Sequence, residues 1–187
     1  MLVVCSDTHG TDDARLTGRT REALTAADLV IHAGDFTTPT VLDDFRDRAA
    51  RLVAVHGNAD SAAVRERLPS AATTTYAGVR VAVTHTERGG TTALSLFGRG
   101  RGAALVVSGH THRPTVDTPE AGPTLLNPGS HADPRGYRPG HAELWPAGSD
   151  DAPDGLLDTP VDAETGLVGV VRTPSGEVIN RFRVPPV

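Results

Sequence analysis

Val3-Val4-Cys5-Ser6-Asp7-Thr8-His9-Gly10 is a short apolar run that stops on a carboxylate and an imidazole, and the same arrangement returns four times along the chain. Val30-Ile31 leads to Gly34-Asp35, and Val53 to Val55 leads to Gly57-Asn58-Ala59-Asp60. Val81 to Val83 leads to Thr84-His85, and Val106-Val107 to Ser108-Gly109-His110-Thr111-His112. Continuous short runs of this kind suit strands buried on both faces. Between the first three, residues 19–27 place Ala23, Leu24 and Ala27 on one helical face. Thr38-Pro39 reads as an N-cap with proline at the first helical position, opening a helix that buries Val41, Leu42, Phe45 and Ala49. A third short helix is expected over 61–68, stopped by Pro69. Strand and helix in alternation predict right-handed crossovers and a largely parallel sheet. Ligands bind in the crevice outside the carboxyl ends of such strands, so the five polar clusters should converge.

After Pro69 the pattern changes. Thr73 to Tyr76 and Val79 to Thr84 flank Ala77-Gly78 as a hairpin, a helical or coiled stretch surrounds Thr91 to Phe97, and Leu105 to Val107 forms another strand. Beyond Pro114 come short strands broken by Pro and Gly. They end in a hairpin of Leu167 to Arg172, a turn at Pro174-Ser175-Gly176, and Glu177 to Val184. A mixed sheet is expected here, and two sheets packed face to face with helices outside would accommodate both textures. From Glu143 to Glu164 there are seven acidic residues and no basic one. This stretch reads as a solvated loop without chemistry of its own, an acidic surface insertion over 146–165.

The 187 residues, 38% of them hydrophobic, suffice for one well-buried core, and a single domain over 1–187 is expected. Cys5 is the only cysteine, which excludes a disulfide scaffold, and no stretch approaches a membrane span. No charged leader and long apolar region precede the first strand, so a cytoplasmic protein is expected. All 18 basic residues are Arg, against 23 acidic residues, for a formal net charge of −5. No basic stripe is visible, which argues against long DNA or RNA as partner.

Seven side chains in the five clusters are metal-ligand types: Asp7, His9, Asp35, Asn58, His85, His110 and His112. Two carboxylates, four imidazoles and an amide oxygen, with no thiolate, favour Mn, Fe, Co, Ni or Zn over Ca. Seven donors exceed what one small transition ion takes. Two ions sharing a carboxylate resolve the count, with Asp35 as the natural bridge. Turn chemistry alone explains Asp and Asn at strand ends but not His at three of them. His32, His56, His131 and His141 are read as ordinary core or surface residues, His32 packing beneath the site, and Cys5 as a small buried hydrophobe.

The series Asp7-Thr8-His9, Gly34-Asp35, Gly57-Asn58, His85 and Gly109-His110-Thr111-His112, followed by Asn127-Pro128-Gly129-Ser130, resembles the calcineurin-like metallophosphoesterase superfamily, and within it the small prokaryotic phosphodiesterases. The resemblance runs from Val3 to about Arg135. It implies a four-layer αββα sandwich of two mixed sheets flanked by helices. It also implies one ion held by Asp7, His9, Asp35 and His112 and another by Asp35, Asn58, His85 and His110. Manganese is the expected metal, with nickel, iron, cobalt, zinc or magnesium as alternatives. A hydroxide bridging the ions would attack phosphorus in line, with Asp35, Asn58 and His85 positioning hydroxide and phosphate. Two divalent ions less two carboxylates and one hydroxide leave one positive charge to attract the phosphate. Arg113 and Arg135 are candidate phosphate contacts alongside Asn58.

Two departures bear on substrate. Many phosphatases of the superfamily have a His after the motif Asn to protonate the leaving group, and Ala59 stands there instead. Diesters or activated monoesters are therefore expected over simple alkyl monoesters. Thr86-Glu87 follows His85 where relatives often have Gly-His, so Glu87 reshapes the rim or supplies a proton. The expected partner is a small phosphodiester or nucleotide-like substrate, with no membrane partner, and a homo-oligomer stays open. The alternatives are a non-catalytic protein-binding scaffold on the same fold, as in the small retromer subunit of eukaryotes, or a nuclease.

Overall fold

The first strand divides its side chains between two interiors: Leu2 and Val4 enter one apolar cluster, Val3 and Cys5 another. The computed structural model describes residues 1–153, 156 and 165–186. In chain order its elements are β1 (Leu2–Cys5), α1 (Gly18–Ala26), β2 (Leu29–His32), α2 (Pro39–Arg48), β3 (Leu52–Ala54), α3 (Ala62–Arg65), β4 (Ala71–Tyr76) and β5 (Val79–Thr84). There follow α4 (Gly90–Arg99), β6 (Leu105–Val107), β7 (Thr115–Asp117), β8 (Thr124–Asn127), β9 (His141–Pro146), β10 (Leu167–Arg172) and β11 (Val178–Val184).

Two mixed sheets result, one ordered β11-β10-β9-β1-β2-β3 and the other β4-β5-β6-β8-β7. β1, β2 and β3 are parallel, and β9 runs antiparallel to β1 on the other side. In the second sheet β5, β6 and β8 are parallel while β4 and β7 flank them antiparallel. Alternation places Leu29, Ile31, Val81, Val83, Leu105 and Val107 in the layer between the sheets, with Leu2 and Val4. The opposite faces carry helices: Val3, Cys5 and Val30 pack against Leu24, Leu42 and Phe45, and Ala82 and Val106 pack against Leu94 and Phe97 of α4. This is the αββα sandwich expected from the sequence. Each Val, Leu or Ile fully withdrawn from water in these layers stabilises the fold by about 1.5–3 kcal/mol.

Local signals were obeyed where the backbone itself demanded them. Thr38 is the N-cap of α2, its Oγ1 accepting from the Val41 N–H, and Pro39 follows at the first helical position. Ala77 and Gly78 both have positive φ, 46° and 79°, as a two-residue hairpin turn of the primed type requires.

Three expectations change. The helix foreseen over 61–68 is only the single turn of α3, which buries Val64. The later strands do not simply form a mixed sheet of their own, because β9, β10 and β11 complete the first sheet. Glu143 is not part of a solvated loop: it lies inside β9, fully buried, where Arg19 grips it with Nε and Nη2 at 2.8 and 2.6 Å and His141 Nε2 lies 3.1 Å away. Half of the insertion expected over 146–165 lies outside the described residues, and within it Leu156 is buried with Trp145 and Val168. Among the described residues no helix is long and apolar enough to cross a membrane.

Candidate metal centre

The parallel strands of both sheets deliver their C-terminal ends to one edge. β1 releases Asp7 and His9, β2 releases Asp35, and β3 releases Asn58. From the second sheet β5 releases His85, and β6 releases His110 and His112. The chain must turn sharply to bring these side chains inward. Asp7, His9, Asp35, His110 and His112 all have left-handed φ, between 46° and 71°. For residues with a Cβ this conformation costs of order 1 kcal/mol or more each, and it persists only where the surroundings enforce it.

Glycines allow the loops to close on one another. A Cβ on Gly57 would come within 2.2 Å of Asp35 Oδ1, and one on Gly109 within 1.9 Å of Ser6 Oγ and 2.7 Å of Asp7 Oδ2. The spacing Gly57-Asn58 and Gly109-His110 is thus steric in origin.

The seven residues predicted from sequence come together. Asp35 Oδ2 is 3.4 Å from His9 Nε2 and 3.3 Å from His85 Nε2, so one carboxylate oxygen reaches imidazoles on both of its sides. His112 Nε2 is 3.5 Å from Asp7 Oδ1, and its ring stacks on His9 with centroids 4.9 Å apart. Asn58 Oδ1 lies 3.1 Å from His85 Nε2 and 2.7 Å from His110 Nδ1. Ligand atoms of Asp7, His9 and His112 all fall within 4.8 Å of one another, as do those of Asp7, Asp35 and His85. Of the two arginines, Arg135 reaches the rim, with Nη2 3.4 Å from His9 Nε2. Arg113 is exposed, and among the described residues its side chain makes no hydrogen bond or ion pair.

The donor chemistry fits divalent ions. His85 Nδ1–H donates to the Ala33 carbonyl at 2.7 Å, and His112 Nδ1–H donates to the Asp133 carbonyl. Those bonds assign the tautomer and turn each Nε2 lone pair toward carboxylate oxygens. Acceptors then face acceptors, an arrangement that only a cation or a proton between them stabilises. The titration behaviour agrees. Burial opposes charge on His85, but the hydrogen bond and charge of Asp35, with Asp7, outweigh it and raise its pKa. Burial raises Asp7 against the pull of His85 and His112, and burial lowers His9 toward the neutral ligand form. Oxygen and nitrogen donors without thiolate match the borderline divalent metals inferred from the sequence.

Supporting residues fix this geometry, and most of them carry no obvious signal in the sequence. Asp60, buried, accepts the N–H groups of Asp35 at 3.0 Å and Gly57 at 2.7 Å on one oxygen and of Thr37 at 2.7 Å on the other. Its place in Gly57-Asn58-Ala59-Asp60, three residues after a strand-end glycine, was the only hint. Asn127 Nδ2 donates to the Gly109 carbonyl at 2.7 Å, and Ser130 Oγ donates to the Asp7 carbonyl at 2.6 Å, so the Asn-Pro-Gly-Ser turn clamps two ligand loops. His32 accepts the Gly34 N–H on Nδ1 and therefore donates from Nε2 to Thr8 Oγ1 at 2.9 Å, packing beneath the site as expected. Burial pushes His131 down to about 4, and this neutral ring donates to the Ala14 carbonyl.

Comparison with known proteins agrees with this fold. Residues 1–145 match the calcineurin-like phosphoesterase superfamily domain, and the chain belongs to that superfamily. A probable metallophosphoesterase of Methanocaldococcus jannaschii is 36% identical over 140 residues, 72% of this chain and 70% of that protein. The fold is shared with a predicted phosphoesterase of Streptococcus pneumoniae at a TM-score of 0.69 and 22% identity, over 97% of this chain and 96% of that one. It is shared equally with Vps29 of Entamoeba histolytica, solved in complex with zinc, at a TM-score of 0.70 and 19% identity over 98% of each chain. Membership of the superfamily carries metal-dependent phosphoester hydrolysis with it.

Proposed function

We propose that the chain hydrolyses small phosphodiesters at a dinuclear divalent-metal centre built from Asp7, His9, Asp35, Asn58, His85, His110 and His112. The observation that carries this reading is the single oxygen of Asp35 within 3.4 Å of both His9 and His85, where it would serve as a carboxylate shared between two ions. Asp7, His9, Asp35 and His112 would hold one ion, and Asp35, Asn58, His85 and His110 the other. Manganese is the expected metal. When bound, such a pair supplies Lewis acidity at the phosphoryl oxygens and a water of lowered pKa.

The chain's own groups do the rest. Asn58 turns its carbonyl oxygen toward His85 and His110, and among the described residues its Nδ2 has no partner, leaving it to donate to a phosphoryl oxygen. Arg135 stands at the rim beside His9, where its guanidinium can take a second phosphoryl oxygen. Ala59 is exposed and contributes only its N–H, which donates to Asp35 Oδ1 at 2.7 Å, so no imidazole is offered there to protonate a leaving alkoxide. That favours diesters and activated esters over alkyl monoesters. Imidazole lone pairs turned on carboxylates favour the hydrolase over a protein-binding scaffold on the same fold. The test compares bis(p-nitrophenyl) phosphate with an alkyl monophosphate in the presence of manganese. Faster turnover of the diester, abolished by chelation, is expected; faster monoester turnover overturns the diester preference, and no hydrolysis of either overturns the reading.

A further inference from the structure

A cleft of about 810 Å³ opens beside the Asn58 and His85 half of the centre, a size typical of sites that enclose an organic ligand. Three features of its wall have no role in holding metal. Leu96 of α4 is 62% exposed there, one of two large apolar side chains left in water among the described residues. Next to it the Arg101 guanidinium lies 3.7 Å from the centroid of the Phe97 ring, and Arg101 Nη1 donates to the Phe97 carbonyl at 3.2 Å. Arg65 closes the end nearest the centre, donating to the Asn58 carbonyl. Among the described residues neither Arg65 nor Arg101 is paired with a carboxylate, and Glu87 is the only acidic residue of the lining.

A lipid-like arm would need a continuous apolar wall without arginines, and a bare sugar or glycerol would not use Leu96 and Phe97. A flat ring satisfies both features, because purine and pyrimidine rings stack on aromatic side chains and on guanidinium planes alike. Arg101, its guanidinium 3.7 Å over the Phe97 ring, offers such a plane, while Arg65 adds positive charge beside the phosphate. Resting on the hydrolase reading above, we propose that this cleft is the subsite for a nucleoside arm of the scissile phosphodiester. Phe97, Arg101 and Leu96 then act as specificity-determining residues.

The test is calorimetric binding to the manganese-loaded full chain, with AMP, ribose phosphate and inorganic phosphate as probes, beside hydrolysis of bis(p-nitrophenyl) phosphate. AMP is expected to bind roughly tenfold more tightly than ribose phosphate, the gain a stacked base provides. Phe97→Ala should remove that difference. The exposed Arg101→Glu and the cleft-filling Ala93→Trp should do the same without touching the core, with inorganic phosphate as internal control. Equal affinity for AMP and ribose phosphate in a protein that cleaves the diester overturns the subsite alone. Loss of the AMP preference in none of the three variants also overturns it. A protein that neither binds phosphate nor cleaves the diester overturns both the subsite and the reading beneath it.

Discussion

Asp60 holds Asp35 in place through the backbone, its carboxylate accepting the Asp35 N–H at 3.0 Å while also taking those of Gly57 and Thr37. A residue that reaches no ligand atom thereby joins the loops after β2 and β3. Asp60→Ala leaves three amides without their acceptor and frees Asp35 from its left-handed turn. The affinity for manganese should fall by about 10–100-fold, the usual consequence of losing an outer-shell partner, as measured by titration calorimetry. Asp60→Asn, which keeps one acceptor oxygen, should lie between.

Gly57 lies against the Asp35 carboxylate itself. Since a Cβ there would sit 2.2 Å from Asp35 Oδ1, Gly57→Ala must displace either the carboxylate or the loop. Manganese affinity should drop at least as far as in Asp60→Ala, while far-ultraviolet circular dichroism stays that of the wild type. Unchanged affinity would mean that the loop yields without moving Asp35.

Stability at acid pH is predicted from a different group. Glu143 faces Arg19 of α1, His141 of its own strand and, at 3.8 Å, Arg172 of β10. Burial tends to raise its pKa, but the hydrogen bonds from Arg19 and His141 win and hold it at about 2, against an ordinary 4.5. A depressed carboxyl pKa stabilises the fold at pH above the ordinary value, and that contribution is lost as pH falls from about 4.5 toward 2. The urea midpoint of the wild type should decline across this window, and that of Glu143→Gln should decline less. Glu143→Ala should cost about 3 kcal/mol at neutral pH, the low end for a broken buried pair because Arg19 keeps part of its side chain in water.

The candidate ligands were legible because they follow one rule: each stands just after a short apolar run, where a parallel strand must end. Thr38-Pro39 and Ala77-Gly78 were legible because capping and primed turns constrain the backbone locally. Strand partnership was not. Nothing in Leu105 to Val107 says that it lies between β5 and β8, since pairing depends on residues far away in sequence. Glu143 misled because a carboxylate in an acidic stretch looks hydrated, and its neutralising partner, Arg19, lies 124 residues away. Asp60 escaped notice because its work is done on backbone N–H groups, which leave no trace in side-chain pattern.

The most direct measurement is the number of manganese ions retained per chain after equilibrium dialysis, for the wild type and for Asp35→Asn. The wild type should hold about two, and the variant, deprived of the shared carboxylate, one or fewer. A wild-type chain that retains none, or a variant that retains as many as the wild type, would contradict the account.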